Sequence, residues 1–236
     1  MSLELKIVLG ISITLLILLT IVLSSRSRIK RVYRKYLNVG NQSNLTGGQF
    51  AQIASEQLDL NLQLGVADGE LVDAYNYKTR MLIMSRAVCN SASLASLTIV
   101  AHELGHALQH AKNDPMFGLS HIWSKINRFT KKFFVPFLVA GVITLFFNMG
   151  LATTFLWISL GIFAFNIFDK IFDIPVEYNA SKRALWYLKE YHYLSPSEMG
   201  KAKKLLGIAA QTYIASLFDG IIIFGDRLNS IFNKKK

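Results

Sequence analysis

The chain has 236 residues, of which 52% are hydrophobic, and it carries a formal net charge of +11. This pairing is typical of a membrane protein with basic flanks, and it excludes an ordinary soluble domain. The cations lie beside apolar runs and do not alternate with aromatic residues on one face, which argues against nucleic acid as a partner. Cys89 is the single cysteine, so the sequence has neither a disulfide framework nor a thiolate metal cluster.

An uncharged run of 17 residues, 7–23, lies near the start of the chain, after Glu4 and Lys6. This length is at the short end of the range that spans a bilayer. A cleaved signal peptide is the competing interpretation, but the run is long for one and no small-x-small cleavage site follows it. We therefore predict a retained transmembrane anchor over residues 1–25. Six cations follow between Arg26 and Lys35, which by the positive-inside rule puts the downstream chain in the cytoplasm.

Residues 26–132 are predicted to form the cytoplasmic catalytic region. Thr46 and Gln49 make a capping box for a short helix. Alternating apolar residues over 61–67 predict a strand that turns at Asp68 and Gly69. The second apolar run, Met81 to Met84, is either an edge strand that accepts an extended peptide or a core strand, and we favour the core.

The region from Ser91 to Lys112 contains the motif H-E-x-x-H, at His102, Glu103 and His106. Its flanks have helical periodicity, and on a helix the two imidazoles lie on one face about 6 Å apart along the axis. Both can then bind one Zn²⁺, with the glutamate beside the first histidine acting as a general base on water. The motif therefore predicts a site for one zinc ion.

A catalytic zinc site needs a third protein ligand. His110 is nearest in sequence, but it lies eight residues from His102, about 12 Å along a straight helix. No glycine lies between His106 and His110 to bend the chain. Glu177 is the alternative. Pro175 reads as the first residue of a helix, so Glu177 is equally interpretable as a first-turn carboxylate that the helix dipole favours.

The rest of the chain is predicted to be membrane-embedded or close to the membrane. Residues 133–171 are predicted to form a transmembrane hairpin that turns at 148–150, with Pro136 in a first helical turn. Residues 172–204 carry the proposed third ligand, and residues 205–236 form an apolar helix with a basic tail. The predicted fold is a mostly α-helical, multi-pass integral membrane protein of the cell membrane. It has a zinc-helix domain with a small β element and three or four transmembrane helices.

Three sequence blocks carry a family resemblance: L-V-D-A-Y-N at 71–76, A-H-E-L-G-H-A-L-Q-H at 101–110 and P-V-E-Y-N-A-S-K-R-A at 175–184. With them the chain resembles the YugP-like neutral zinc metallopeptidases, membrane proteins of bacteria. The resemblance implies a gluzincin-type site, with His102, His106 and Glu177 as zinc ligands and Glu103 as the base.

The chain departs from the family pattern at three positions. Ala74 stands where the family tends to have histidine, and Asn179 replaces an acidic residue. Ser181 occupies the position where related membrane proteases have an aspartate that orients the first histidine. Neutral partners raise ligand basicity less than a carboxylate does, so we predict a modest affinity for zinc.

The resulting hypothesis is zinc-assisted hydrolysis of a peptide bond in a membrane-associated or unfolded protein. The partners are then the lipid bilayer and a peptide or protein substrate. The candidate oxyanion donors are four residues that follow the third ligand: Arg183, Tyr178, Tyr191 and His192. The alternative hypothesis is an inactive, zinc-stapled membrane scaffold, which the neutral residues around the ligands favour and the retained Glu103 disfavours.

Overall fold

The computed structural model describes Ser24 and residues 27–215. The predicted anchor therefore lies outside the described residues except for Ser24, and so does the basic tail. The described chain begins with helix α1, at residues 27–37. The elements that follow are α2 (Gly47–Gln57), β1 (Gln63–Ala67), β2 (Ala74–Asn76), β3 (Met81–Ser85), α3 (Arg86–Asn90), α4 (Leu94–Ala111), α5 (Pro115–Thr144), α6 (Met149–Glu190) and α7 (Pro196–Ala215).

The chain divides into two compact units, and each is described by itself. The first, the site unit, contains the described residues up to Gly118 and then residues 175–212. The second, the hairpin unit, contains residues 119–174 and, at the end of the described chain, residues 213–215. The predicted boundary at 171/172 lies inside helix α6.

A three-stranded sheet in the site unit has the strand order β1-β3-β2. Strand β3 pairs in parallel with β1 and antiparallel with β2. The apolar run at 81–84 is therefore the central strand, and the interpretation of this run as an edge strand is wrong. Leu82 and Met84 are two residues apart on this strand, so they share one face of the sheet, and both are buried in the core.

Capping residues account for the N-termini of two helices in the site unit. The Thr46 side chain accepts a hydrogen bond from the Gln49 amide, and the Gln49 side chain accepts one from the Thr46 amide, so the predicted capping box is present. Ser93 caps α4 by accepting a hydrogen bond from the Ser96 amide. The helix that carries the H-E-x-x-H motif therefore begins at a fixed residue.

Helices α4 and α6 approach closely at Gly105. A Cβ atom on Gly105 would lie 2.5 Å from the carbonyl oxygen of Ala180. This distance is shorter than any real contact of this kind, so only glycine allows the two backbones to come this near. Ala180 follows Glu177 by three residues, and the contact therefore holds the Glu177 segment against the motif helix.

The hairpin unit contains two helical segments, from α5 and α6, that are joined by residues 145–148; of the predicted turn at 148–150, only Asn148 lies in this connection, because α6 begins at Met149. Phe137 contacts Phe155, and Trp123 contacts Phe165, which is the order expected for antiparallel neighbours. Large apolar side chains are exposed along both segments, among them Ile122, Phe129, Phe133, Val142, Ile143, Phe146, Phe147, Trp157 and Leu160. Within the described residues, one helix, α6, is long and apolar enough to cross a membrane.

The two prolines expected in first helical turns instead lie inside helices, Pro136 in α5 and Pro175 in α6. The sequence pattern around a proline does not distinguish the first position of a helix from a position inside it. Inside a helix it removes one hydrogen bond and costs about 3 kcal/mol, which long, well-packed helical segments on both sides can offset. Glu177 is therefore not in a first turn, and the helix-dipole interpretation of this residue is wrong.

Candidate metal centre

Helix α4 presents His102 and His106 on one face, with their ring centroids 4.8 Å apart. Glu177 follows His102 by 75 residues in the sequence, and helix α6 places it next to the two histidines. One nitrogen from each histidine and one oxygen of Glu177 lie within 4.8 Å of one another. The structure thus groups the two histidines of the motif with Glu177 and not with His110.

The spacing of these atoms is close to the spacing of ligands around a tetrahedral zinc ion. The Glu177 Oε2 atom lies 3.1 Å from His102 Nε2 and 3.5 Å from His106 Nε2. Two ligand atoms, each about 2.1 Å from a tetrahedral ion, are roughly 3.4 Å apart. Two imidazoles and a carboxylate are also the donor set that a catalytic zinc ion takes, so the residues present fit the ion.

The three side chains are mostly buried but retain access to solvent. His102 and His106 are each 13% exposed, and Glu177 is 15% exposed. Burial works against charge on His106, but the hydrogen bond to Glu177, the charges of Glu177 and Glu103 and the hydrogen bond to Gln109 together outweigh this effect and raise the pKa of His106 to about 9. Burial likewise works against charge on Glu177, but hydrogen bonds from both histidines hold its pKa well below the usual range.

Glu103 faces a different environment from Glu177. Burial raises the pKa of the Glu103 carboxyl above its usual value, although the neighbouring histidines act in the opposite direction. Its Oε2 atom accepts a hydrogen bond of 2.8 Å from the backbone amide of Tyr75, in strand β2. The carboxylate is thus fixed in place and is a stronger base than an exposed glutamate, as general-base catalysis requires.

Each histidine has a neutral partner at its other ring nitrogen. His102 Nδ1 lies 3.2 Å from the hydroxyl of Ser181, the position where related proteases have aspartate. His106 Nδ1 lies 3.0 Å from Oε1 of Gln109, which is on the same helix. Within the part of the chain that is described, no carboxylate takes either of these positions.

Asn179 and Arg183 belong to a polar chain behind the site. The Asn179 Oδ1 atom accepts hydrogen bonds from Gln109 Nε2, at 3.3 Å, and from Arg183 Nε, at 2.6 Å. The Arg183 guanidinium also lies 3.3 Å from a carboxylate oxygen of Asp114. The Arg183 side chain therefore already donates to Asn179 and Asp114. These contacts argue against a role for Arg183 as an oxyanion donor.

The other predicted donors are not in the cluster. His192 is exposed in the turn after α6, and the helix between Glu177 and Glu190 is about 20 Å long. Tyr178 is 71% exposed and Tyr191 is 44% exposed. His110 lies one turn beyond His106, and its Nδ1 atom is 2.8 Å from the hydroxyl of Tyr75.

Sequence reasoning missed three contributors to the site: Gln109, the amide of Tyr75 and the small residue Gly105. A signal existed for Gln109, because residues three apart on a helix are neighbours and Gln109 follows His106 by three. For Tyr75 the signal was the family-like block at 71–76, but β2 has only three residues, too few for a periodicity that would predict where its amide points.

Comparison with known proteins agrees with the site. A family model described as "Putative neutral zinc metallopeptidase" matches residues 11–227. The chain is 31% identical over 196 residues to "Putative membrane protease YugP" of Bacillus subtilis (strain 168), an alignment that covers 80% of this chain and 82% of that protein. No solved structure matches the chain at a significant level. The chain belongs to the family described as "Putative neutral zinc metallopeptidase".

Proposed function

We propose that this protein is a membrane-bound, zinc-dependent peptidase that hydrolyses peptide bonds in membrane-associated or unfolded proteins. The observation that carries the proposal is the convergence of His102, His106 and Glu177 beside Glu103. A purely structural zinc site has four protein ligands and does not require a base. Within the described residues this cluster has three ligands and an adjacent carboxylate.

In this proposal His102, His106 and Glu177 hold one zinc ion, and Glu103 is the general base. When bound, zinc supplies Lewis-acid activation of a water molecule and of the scissile carbonyl. The Oε2 atom of Glu103 accepts a hydrogen bond from the Tyr75 amide, so Oε1 is the oxygen that takes a proton from the water. Glu103 then passes this proton to the leaving amine.

Strand β2 is the proposed place for an extended substrate. It ends the described sheet, and the Tyr75 amide points away from β3 toward Glu103. A peptide laid along this edge would bring its backbone close to the metal ligands. This gives β2 the role that the sequence suggested for residues 81–84.

The proposed location is the cell membrane, with several spans and the site on the cytoplasmic side. The exposed apolar side chains of the hairpin unit, the apolar helix α6 and the name of the Bacillus subtilis relative support attachment to a membrane. The basic clusters at 26–35, 125–132 and 201–204 support the cytoplasmic side.

The test is Glu103→Gln in purified full-length protein, assayed for zinc content and for hydrolysis of unfolded membrane proteins and peptides. Because Glu103 is not a proposed ligand, zinc should stay bound while hydrolysis falls by about 10²–10⁴-fold. A wild-type protein that binds zinc but cleaves no substrate would favour the scaffold hypothesis. A Glu103→Gln protein with nearly full activity would remove Glu103 as the base.

A further inference from the structure

The side chain of Gln109 joins two of the proposed ligands. It is 1% exposed and lies on α4, facing α6. Its Oε1 atom is 3.0 Å from His106 Nδ1, and its Nε2 atom is 2.9 Å from the backbone carbonyl oxygen of Val176, the residue before Glu177. One buried amide thus contacts both the second histidine and the backbone next to the carboxylate ligand.

The direction of the Gln109 amide follows from groups whose polarity cannot change. The carbonyl of Val176 only accepts hydrogen bonds, so the amide nitrogen of Gln109 must face it. Arg183 only donates, so the atom of Asn179 that it contacts is the oxygen, and this oxygen accepts the second Gln109 proton. Both amide protons are therefore used on α6, and the Gln109 oxygen must face His106.

An amide oxygen accepts only, so His106 must donate to it from Nδ1. When the ring is neutral, the Nε2 atom of His106 therefore carries the lone pair that a metal needs, and this is the atom that faces Glu177. The hydroxyl of Ser181 gives no such restriction at His102, since a hydroxyl can donate or accept.

We propose that Gln109 is a positioning residue that selects the Nδ1-protonated form of His106 and fixes Glu177 by holding the Val176 carbonyl. The proposal rests on the zinc site proposed above. It assigns to a neutral amide the orienting task that a carboxylate commonly performs beside a zinc-bound histidine. One side chain on the motif helix would then align ligands from two helices.

The first test needs no variant of Gln109. Nitrogen-15 NMR of histidine-labelled full-length protein in detergent reports which ring nitrogen carries the proton, and His106→Ala identifies the His106 signals. One sample contains Zn²⁺, and the other is metal-free at a pH above 9, where the His106 ring is neutral and carries a single proton. We expect a proton on Nδ1, protected from exchange, in both samples. An unprotonated Nδ1 in either sample would overturn the proposal. Because the metal-free sample alone gives this answer, the result is separate from whether the protein binds zinc.

The second test compares Gln109→Glu with Gln109→Met by competition with a zinc chelator. Glutamate keeps an acceptor for His106 Nδ1–H and loses only the donor to the Val176 carbonyl, whereas methionine keeps the volume and loses both hydrogen bonds. We expect zinc affinity to fall by about 10–100-fold in Gln109→Met and by clearly less in Gln109→Glu.

A role in packing alone predicts the reverse order, because a buried charge disrupts a core more than methionine does. Finding that order would overturn the proposal. Gln52→Met is the matched control, since Gln52 is an exposed glutamine on α2 in the same unit, and it should bind zinc like the wild type. Loss of zinc from the wild type itself would instead count against the proposed function.

Discussion

At the residue scale, the two carboxylates of the site have opposite environments. Glu177 is held as an anion by hydrogen bonds from two histidines, whereas burial makes Glu103 harder to ionise. An anionic carboxylate suits a metal ligand, and a carboxylate with a raised pKa suits a base. The structure therefore gives different environments to two glutamates that composition alone does not distinguish, which supports the proposed ligand role of Glu177 and the proposed base role of Glu103.

The ligand assignment predicts different outcomes for Glu177→Ala and His110→Ala. Removal of a direct ligand should weaken zinc binding by more than the roughly 10–100-fold that outer positions cost, so Glu177→Ala should be purified without metal. His110 contacts Tyr75 and is not in the cluster, so His110→Ala should retain zinc. Elemental analysis of both purified proteins checks this, and the opposite pattern would transfer the ligand role to His110.

Zinc binding should depend on pH through His106. Because the pKa of His106 is about 9, its imidazole is protonated at neutral pH when no metal is bound. Zinc must displace this proton in order to bind. Apparent affinity should therefore rise by about tenfold per pH unit as the pH approaches 9, with about one proton released per ion near pH 7. Calorimetry in buffers of different ionisation enthalpy measures this proton, and the absence of any release would contradict the pKa assignment.

At the element scale, the site depends on the contact between α4 and α6. The motif supplies one wall and the segment from Val176 to Arg183 supplies the other. Gly105 allows the two backbones to touch at Ala180, and the side chain of Gln109 joins the same pair of helices. Any change that separates these helices should move Glu177 away from the histidines.

Gly105→Ala is the sharpest test of this contact. The added methyl would meet the Ala180 backbone at 2.5 Å, and backbone cannot move aside as a flexible side chain would. We expect the free energy of unfolding to fall by about 1–3 kcal/mol and zinc affinity to fall with it.

Gly207→Ala is the matched control for this change. Gly207 lies in α7 with no atom within 4 Å of its added Cβ, so the alanine should stabilise the protein by about 0.5–1 kcal/mol. Denaturant titration of both variants gives the comparison. Equal stability of the two proteins would exclude a tight α4–α6 contact.

At the scale of the whole molecule, the proposed membrane attachment leads to the question of which side of the membrane carries the site. The basic clusters predict that residues 36–130 and 172–203 face the cytoplasm. Cys89, at the end of α3 and partly exposed, is the single thiol of the chain and reports on this region.

A membrane-impermeant thiol reagent should therefore leave Cys89 unlabelled in intact cells and label it after the cells are permeabilised. The permeabilised sample is the control for reactivity of the thiol. Labelling in intact cells at the permeabilised level would place the site outside the cell and reverse the proposed topology.

The sequence by itself determined the features that depend on neighbours within a few residues. The i, i+4 spacing of His102 and His106 requires only a helix, and helix geometry is local. The same holds for the capping box at Thr46 and the turn near Asn148. These features are therefore present in the structure much as the sequence predicts them.

The tertiary structure decided the features that join distant parts of the chain. Pro175 looks like a helix start, but α6 continues through it, which changes the setting of Glu177. The partner strands of residues 81–84, the Tyr75 amide on Glu103 and the Gln109 bridge all depend on which segments pack together. Such contacts arise from burial and close packing between elements, and the periodicity of one segment does not specify the partner against which it packs.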